Sequence, residues 1–244
     1  MNKKFWNLVI KDEEHAELYM YGDISSTSWW GDEVTPKIFK DDLDKVGENA
    51  TLTCYINSNG GDVFAGQAIR SMIARKQCKK KIAHVDGLAA SIASVILTGF
   101  DEVVMPKNAM QMIHNPWTIA MGNASDMRKM ADDLDKIGES LIAAYKEKSG
   151  LEDEKIKEIM DNETWLTAEE CVVLGFADKI EESKQVAASL DGAFFVINNQ
   201  KMDLSKYKNA PKFIINSKGE EPIEDKAVEE AIKKQKYYEL IGGM

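Results

Sequence analysis

Lys81-Ile82-Ala83-His84-Val85-Asp86 is a β-prone run, and Gly87-Leu88-Ala89-Ala90-Ser91-Ile92-Ala93-Ser94 follows it directly. The pattern predicts a strand that ends in a glycine turn and opens a small-residue helix, with Ser91 at the helix N-terminus. A hydroxyl there stands beside backbone N–H groups that no helical carbonyl claims, so a nucleophile and an oxyanion donor can share one turn. Taken alone, the run is also what a helix packed closely against a sheet looks like. Its meaning depends on the stretches around it.

Upstream, Ala50-Thr51-Leu52-Thr53-Cys54-Tyr55-Ile56-Asn57 is β-branched and lacks helical spacing, which predicts a buried strand. It stops at Ser58-Asn59-Gly60-Gly61-Asp62, and a helix over 63–74 follows, with apolar residues at Phe64, Ala68, Ile69, Met72 and Ile73. Downstream, Glu102-Val103-Val104-Met105 predicts another strand. Strands alternating with helices imply βαβ crossovers and a parallel sheet, which makes the class α/β.

Before this core, residues 7–24 read as a strand, a charged turn and a second strand. A polar link follows that holds Trp29 and Trp30, then a helix opened by Thr35-Pro36 and running to about Val46. After the core, Ala109-Met110-Gln111-Met112-Ile113-His114 is strand-like and leads into a loop over 115–123. A long helix is expected from Ser125, its N-cap, with Asp126 in the first turn. Its apolar positions Met127, Met130, Leu134, Ile137, Leu141 and Ala144 make a narrow stripe suited to another helix, including one from a second subunit.

Short helices are expected at 154–160 and 167–174, the second with a capping box of Thr167 and Glu170. Gly175-Phe176-Ala177-Asp178-Lys179-Ile180 closes the core. The sequence divides into a domain over 1–185 and an appendage over 186–244, lysine-rich, acidic and partly disordered. One strand at Ala193-Phe194-Phe195-Val196-Ile197 and a helix over 223–240 are expected within it.

The chain has 244 residues, 44% apolar and 30% charged, enough to bury a sizeable core. No apolar run reaches the roughly 18 residues of a membrane span, and the N-terminus carries no signal-peptide stretch, so a cytoplasmic location is expected. Cys54, Cys78 and Cys171 are odd in number and lack C-x-x-C spacing, which implies neither disulfide nor metal. A net charge of −10 argues against a nucleic-acid partner. The basic run Arg75-Lys76-Gln77-Cys78-Lys79-Lys80-Lys81 suits a helix C-terminus instead.

A hydrolytic serine needs a base, an acid that orients the base, and N–H donors for the oxyanion. Of the three histidines, His15 lies in a charged turn and His84 inside a strand. His114 ends an apolar run just before Asn115-Pro116, at the strand edge where sites form in parallel sheets. Gly60-Gly61 ends its strand in a turn able to present a bare backbone N–H.

These blocks, together with Trp165-Leu166-Thr167-Ala168-Glu169-Glu170 and Gly175-Phe176-Ala177-Asp178, resemble the ordered signature of the Clp-type serine peptidases, the ClpP family, over about residues 15–182. The resemblance implies a ClpP/crotonase-like fold with a projecting handle helix, here the one from Ser125, and assembly into a homo-oligomeric ring, a heptamer or tetradecamer. It implies Ser91 as nucleophile, His114 as general base, and an oxyanion hole from the N–H groups of Gly61 and Ile92. It implies protein or peptide substrates; no cofactor or metal is expected, and composition already argues against a nucleic acid or a membrane as partner.

The family's aspartate falls here at Glu163, with Asp161 as the alternative, and its usual proline in the oxyanion turn is Asn59. The N-terminal segment does not match the family's axial-pore loop, and the tail is additional. Both departures resemble phage- and prophage-encoded Clp-like proteases that process capsid or scaffold proteins, and they weaken the expectation of a Clp ATPase partner. Two other functions fit parts of the pattern: a crotonase-like acyl-CoA hydratase or isomerase, and an inactive ring-forming structural homologue.

Overall fold

A computed structural model of the chain describes residues 4–25, 36–181, 188–191, 194–197, 200–203 and 207–210, all within one compact unit, Met1–Pro211. The Trp29-Trp30 link, the Thr35 start of the first helix and the 223–240 helix lie outside these residues.

Strands β1 (Trp6–Ile10) and β2 (His15–Tyr21) form an antiparallel hairpin. Helix α1 (Pro36–Leu43) stops short of Val46, although the Val46 side chain is still buried. Then come β3 (Thr51–Ser58), α2 (Val63–Arg75) and β4 (Lys80–Ala90). The parallel sheet runs β2-β3-β4 and continues through β5 (Glu102–Pro106) to β8 (Lys179–Glu181). Strand β3 alternates in burial until Ile56 and is then buried outright, polar Asn57 and Ser58 included. That buried end is where the parallel sheet meets the cleft.

The glycine turn expected at Gly87 does not form. Strand β4 passes through Gly87 and ends at Ala90, because two neighbours take up its far half. The β3–β4 register slips between the pairs Ile56↔Val85 and Ser58↔Ala89, and the Asn57 side-chain carbonyl accepts the Leu88 N–H at 3.2 Å across the irregularity. Leu88, Ala89 and Ala90 pair with β6 (Met110–Ile113), whereas Ile82, Ala83 and His84 pair with β5. Thus the sheet forks along β4. The second branch is completed by β7 (Thr164–Thr167), antiparallel to β6.

Helix α3 (Ile92–Leu97) follows β4 and is buried throughout. Helix α4 (Ala124–Ser149) has 26 residues, about 39 Å at 1.5 Å per residue. Its N-cap is Asn123, not Ser125: the Asn123 side chain accepts from the N–H groups of Ser125 and Asp126, and the Asp126 carboxylate accepts from the Asn123 N–H. The reciprocal pair satisfies more backbone donors than a serine two residues later could. The first turns of α4 are exposed all round, while Gly138, Leu141 and Tyr145 bury its second half against the core.

Helices α5 (Asp153–Asp161) and α6 (Ala168–Val173) complete this body, and the Thr167–Glu170 capping box forms as expected. Beyond it, β9 (Ala188–Asp191), β10 (Phe194–Ile197) and β11 (Gln200–Asp203) make a three-stranded antiparallel sheet where one strand was expected. Among the described residues no helix is long and apolar enough to cross a membrane.

Candidate active site

Ser91 is the step between β4 and α3. Its backbone has φ 57° and ψ −130°, and its side chain makes no capping bond, so Oγ turns outward to lie 2.8 Å from His114 Nε2. A side-chain-bearing residue in that left-handed region costs on the order of 1–3 kcal/mol and needs to be held. The Ser91 N–H donates to the Met112 carbonyl at 2.8 Å, and Ser94 donates to the Ser91 carbonyl from its N–H at 3.0 Å and its hydroxyl at 2.6 Å. Ser94 Oγ lies 2.7 Å from the Tyr145 hydroxyl of α4, a group that burial pushes up from its ordinary pKa. The root of the long helix therefore braces the serine.

Next to this elbow runs the 58–62 turn, fixed by main-chain bonds to the end of the hairpin. Ile24 donates to the Gly60 carbonyl and Asp62 donates to the Ile24 carbonyl, both at 2.8 Å. Ser58 Oγ donates to the Gly22 carbonyl at 2.6 Å and accepts from the Gly60 N–H at 3.1 Å. In such a parallel bridge the N–H of the intervening residue, Gly61, points away from Ile24. Neither glycine is replaceable: a Cβ on Gly60 would stand 2.6 Å from Ser91 Cβ, and one on Gly61 only 2.0 Å from the Ile24 carbonyl oxygen. Their φ angles, 87° and 146°, are left-handed as well. The Ile92 N–H, first in α3, has no carbonyl of its own helix to bond.

A cavity of about 250 Å³ opens over these groups, lined by Gly61, Ser91, His114, Pro116, Trp117 and Tyr207 among others. It brings the expected nucleophile, base and glycine donor to one place.

The acid is placed differently. The last register pair of β6 and β7 is Ile113↔Thr164, so the next positions outward are His114 and Glu163. Glu163 has φ 46°, and Ser91 and Glu163 are the two non-glycine positions with positive φ among the described residues. Its Oε1 accepts the backbone N–H of Asn209 at 2.7 Å. Asp161 turns to other partners: its Oδ1 accepts from the Asn115 side-chain amide at 2.8 Å and lies 3.5 Å from Lys157 Nζ.

Three residues with functional contacts were not singled out from sequence. Ser94 and Tyr145 brace the elbow. Tyr207, only 6% exposed, sets its ring edge-on to His114 (centroids 5.6 Å apart, planes at 82°) and to Trp165 (5.6 Å, 81°), and its hydroxyl donates to the Asn59 carbonyl. Burial pushes the Tyr207 hydroxyl up from its ordinary pKa. A lone tyrosine between lysines gives no periodicity from which to infer this. His15 and His84 lie apart from the cavity: His15 faces Asp12, and His84 faces Tyr55 and Glu181. Among the described residues no group of three or more His, Cys, Asp or Glu could hold a metal ion.

Comparison with known proteins adds a family. The profile described as Clp protease matches residues 16–184, more than half of the chain. The chain is 31% identical over 147 residues to a protein of Porphyromonas gingivalis named ATP-dependent Clp protease proteolytic subunit, covering 59% of this chain and 65% of that protein. Proteins of the same name from Bacteroides fragilis and Bacteroides thetaiotaomicron are 32% and 31% identical over 142 residues; each alignment covers 57% of this chain, and 67% and 63% of the relatives respectively. The chain thus spans about two thirds or less of these relatives' lengths.

Proposed function

Because the chain belongs to the Clp protease family, we propose that it is a serine-type endopeptidase whose site is the cavity over Ser91 and His114. The observation that carries the reading is the 2.8 Å approach of His114 Nε2 to Ser91 Oγ at a backbone step held in the left-handed region. Ser91 Oγ attacks the scissile carbonyl carbon while His114 Nε2 takes its proton. The carbonyl oxygen, now negative, accepts from the N–H groups of Gly61 and Ile92. The tetrahedral centre collapses, the C–N bond breaks, and His114 gives its proton to the departing amine. Water, deprotonated by His114, then releases the acyl group and restores Ser91.

Glu163 is the acid of this proposal in preference to Asp161. It lies one step along the ladder from Thr164, opposite His114, and like Ser91 it is held at a positive φ. Asp161 is committed to Asn115 and Lys157. An acyl-CoA hydratase would use the two backbone donors and leave the Ser91–His114 contact without a task.

The proposal extends to a homo-oligomeric ring built through α4, whose projecting half exposes Met127 and Met130. In its narrowest form the enzyme processes phage capsid or scaffold proteins in a bacterial cytoplasm. This rests on the family resemblance and the chain's two terminal departures from it. The test is Ser91→Ala. Wild-type protein should be labelled by a fluorophosphonate and cleave casein. The variant should lose labelling and at least about 10⁴-fold in turnover; cleavage by the variant at the wild-type rate would refute the mechanism.

A further inference from the structure

We propose that Tyr207 is a positioning residue of the active site, and that the 207–210 segment is a built part of the catalytic machinery, not a tail lying across it. This rests on the peptidase reading and goes beyond it. The segment lies past residue 184, where the family match ends.

Two residues of the segment reach three parts of the site. The Tyr207 ring borders His114 edge-on, limiting the rotation of an imidazole that stands just past the end of β6. The Tyr207 hydroxyl fastens the Asn59 carbonyl, immediately before the glycine pair that supplies the Gly61 N–H. Asn209 donates its backbone N–H to Glu163 Oε1 at 2.7 Å and its side-chain amide to the Asn162 carbonyl at 2.8 Å. Base, oxyanion turn and acid are thus referenced to one short piece of chain.

The seat is specific. Tyr207 packs with Leu88, Ala90 and Met112 in an apolar cluster of its own, and two of these lie on the strand that delivers Ser91. Among the described residues the cavity over Ser91 is open, with Tyr207 as one wall. A blocking segment would occupy that space; a positioning one borders it.

The experiment compares Tyr207→Ala, Tyr207→Leu and Tyr207→Phe in the full chain, each checked for native mass and melting temperature, with labelled casein and a fluorophosphonate as probes. The Ala and Leu variants should lose on the order of 10²-fold in kcat with KM changed little, since a displaced catalytic group costs about that much. Leucine refills the apolar seat, so a purely structural role would be rescued by Leu as well as by Phe. A positioning role is rescued mainly by Phe, which restores both ring-edge contacts and lacks only the bond to Asn59. Wild-type kcat in the Leu variant would overturn the proposal, and so would an increase in labelling or cleavage in the Ala variant, the mark of an inhibitory strap. If wild-type protein reacts with neither probe, the peptidase reading falls and takes this one with it.

Discussion

The two sides of the cleft are held by different means. On the Ser91 side, main-chain bonds predominate: β4 hands Ser91 to α3, Met112 and Ser94 pin the serine's peptide groups, and Gly60 and Asp62 bond to Ile24. On the Glu163 side, the carboxylate sits in a strained turn and takes a hydrogen bond from Asn209, 46 positions along the chain. The first side is gathered from several elements that the sheet and its helices already hold together. The second depends on a segment beyond that framework that must travel back to reach it. Geometry fixed mainly by main-chain bonds within the framework tolerates little substitution, whereas geometry fixed by a side chain and a returning segment can be tuned.

Exchanging the acids tests the second side and should give the largest effect short of removing Ser91 itself. Glu163→Gln keeps the shape and removes the charge, so turnover should fall by about 10³-fold; Asp161→Asn should stay within about twofold of wild type. Casein cleavage by both variants measures this, and the reverse ranking would move the acid to Asp161. The first side comes next. Gly61→Ala puts a methyl group against the Ile24 carbonyl oxygen and shifts the donor, so turnover should fall by about 10²-fold while fluorophosphonate labelling slows without vanishing.

The smallest effect belongs to a control far from the cleft. Lys179 and Lys80 hold the Glu102 carboxyl down to about 2, below the ordinary glutamate value of 4.5. A depressed folded-state pKa contributes stability above pH 4.5 and loses it as pH falls toward 2. Glu102→Gln should therefore cost about 1 kcal/mol at pH 7, a melting shift of about 2–4 °C, with the gap closing below pH 4.5 and catalysis unaffected. A gap that widened in acid would contradict the sign.

The same contrast explains what the sequence revealed. The strands, the glycine pair and the Thr167–Glu170 cap were legible because each shows in residues within a few positions of itself, whereas Ser91 and His114 were picked out by the ordered resemblance to the Clp-type peptidases. Near misses arose where a distant neighbour decided. Gly87 looked like a turn, yet pairing of Ser58 with Ala89 and of β6 with Leu88–Ala90 carries β4 past it. Asn123 and Ser125 are both able caps, and only the reciprocal bond from Asp126 separates them. Tyr207 carries no local signal, because what defines it is the His114, Trp165 and Asn59 it returns to meet.

One joint has a mechanical consequence. Tyr145, near the base of a lever about 39 Å long, reaches the nucleophile's own carbonyl through a single serine hydroxyl. The helix through which the proposed ring would assemble and the peptide group of the proposed nucleophile therefore share one hydrogen-bonded chain.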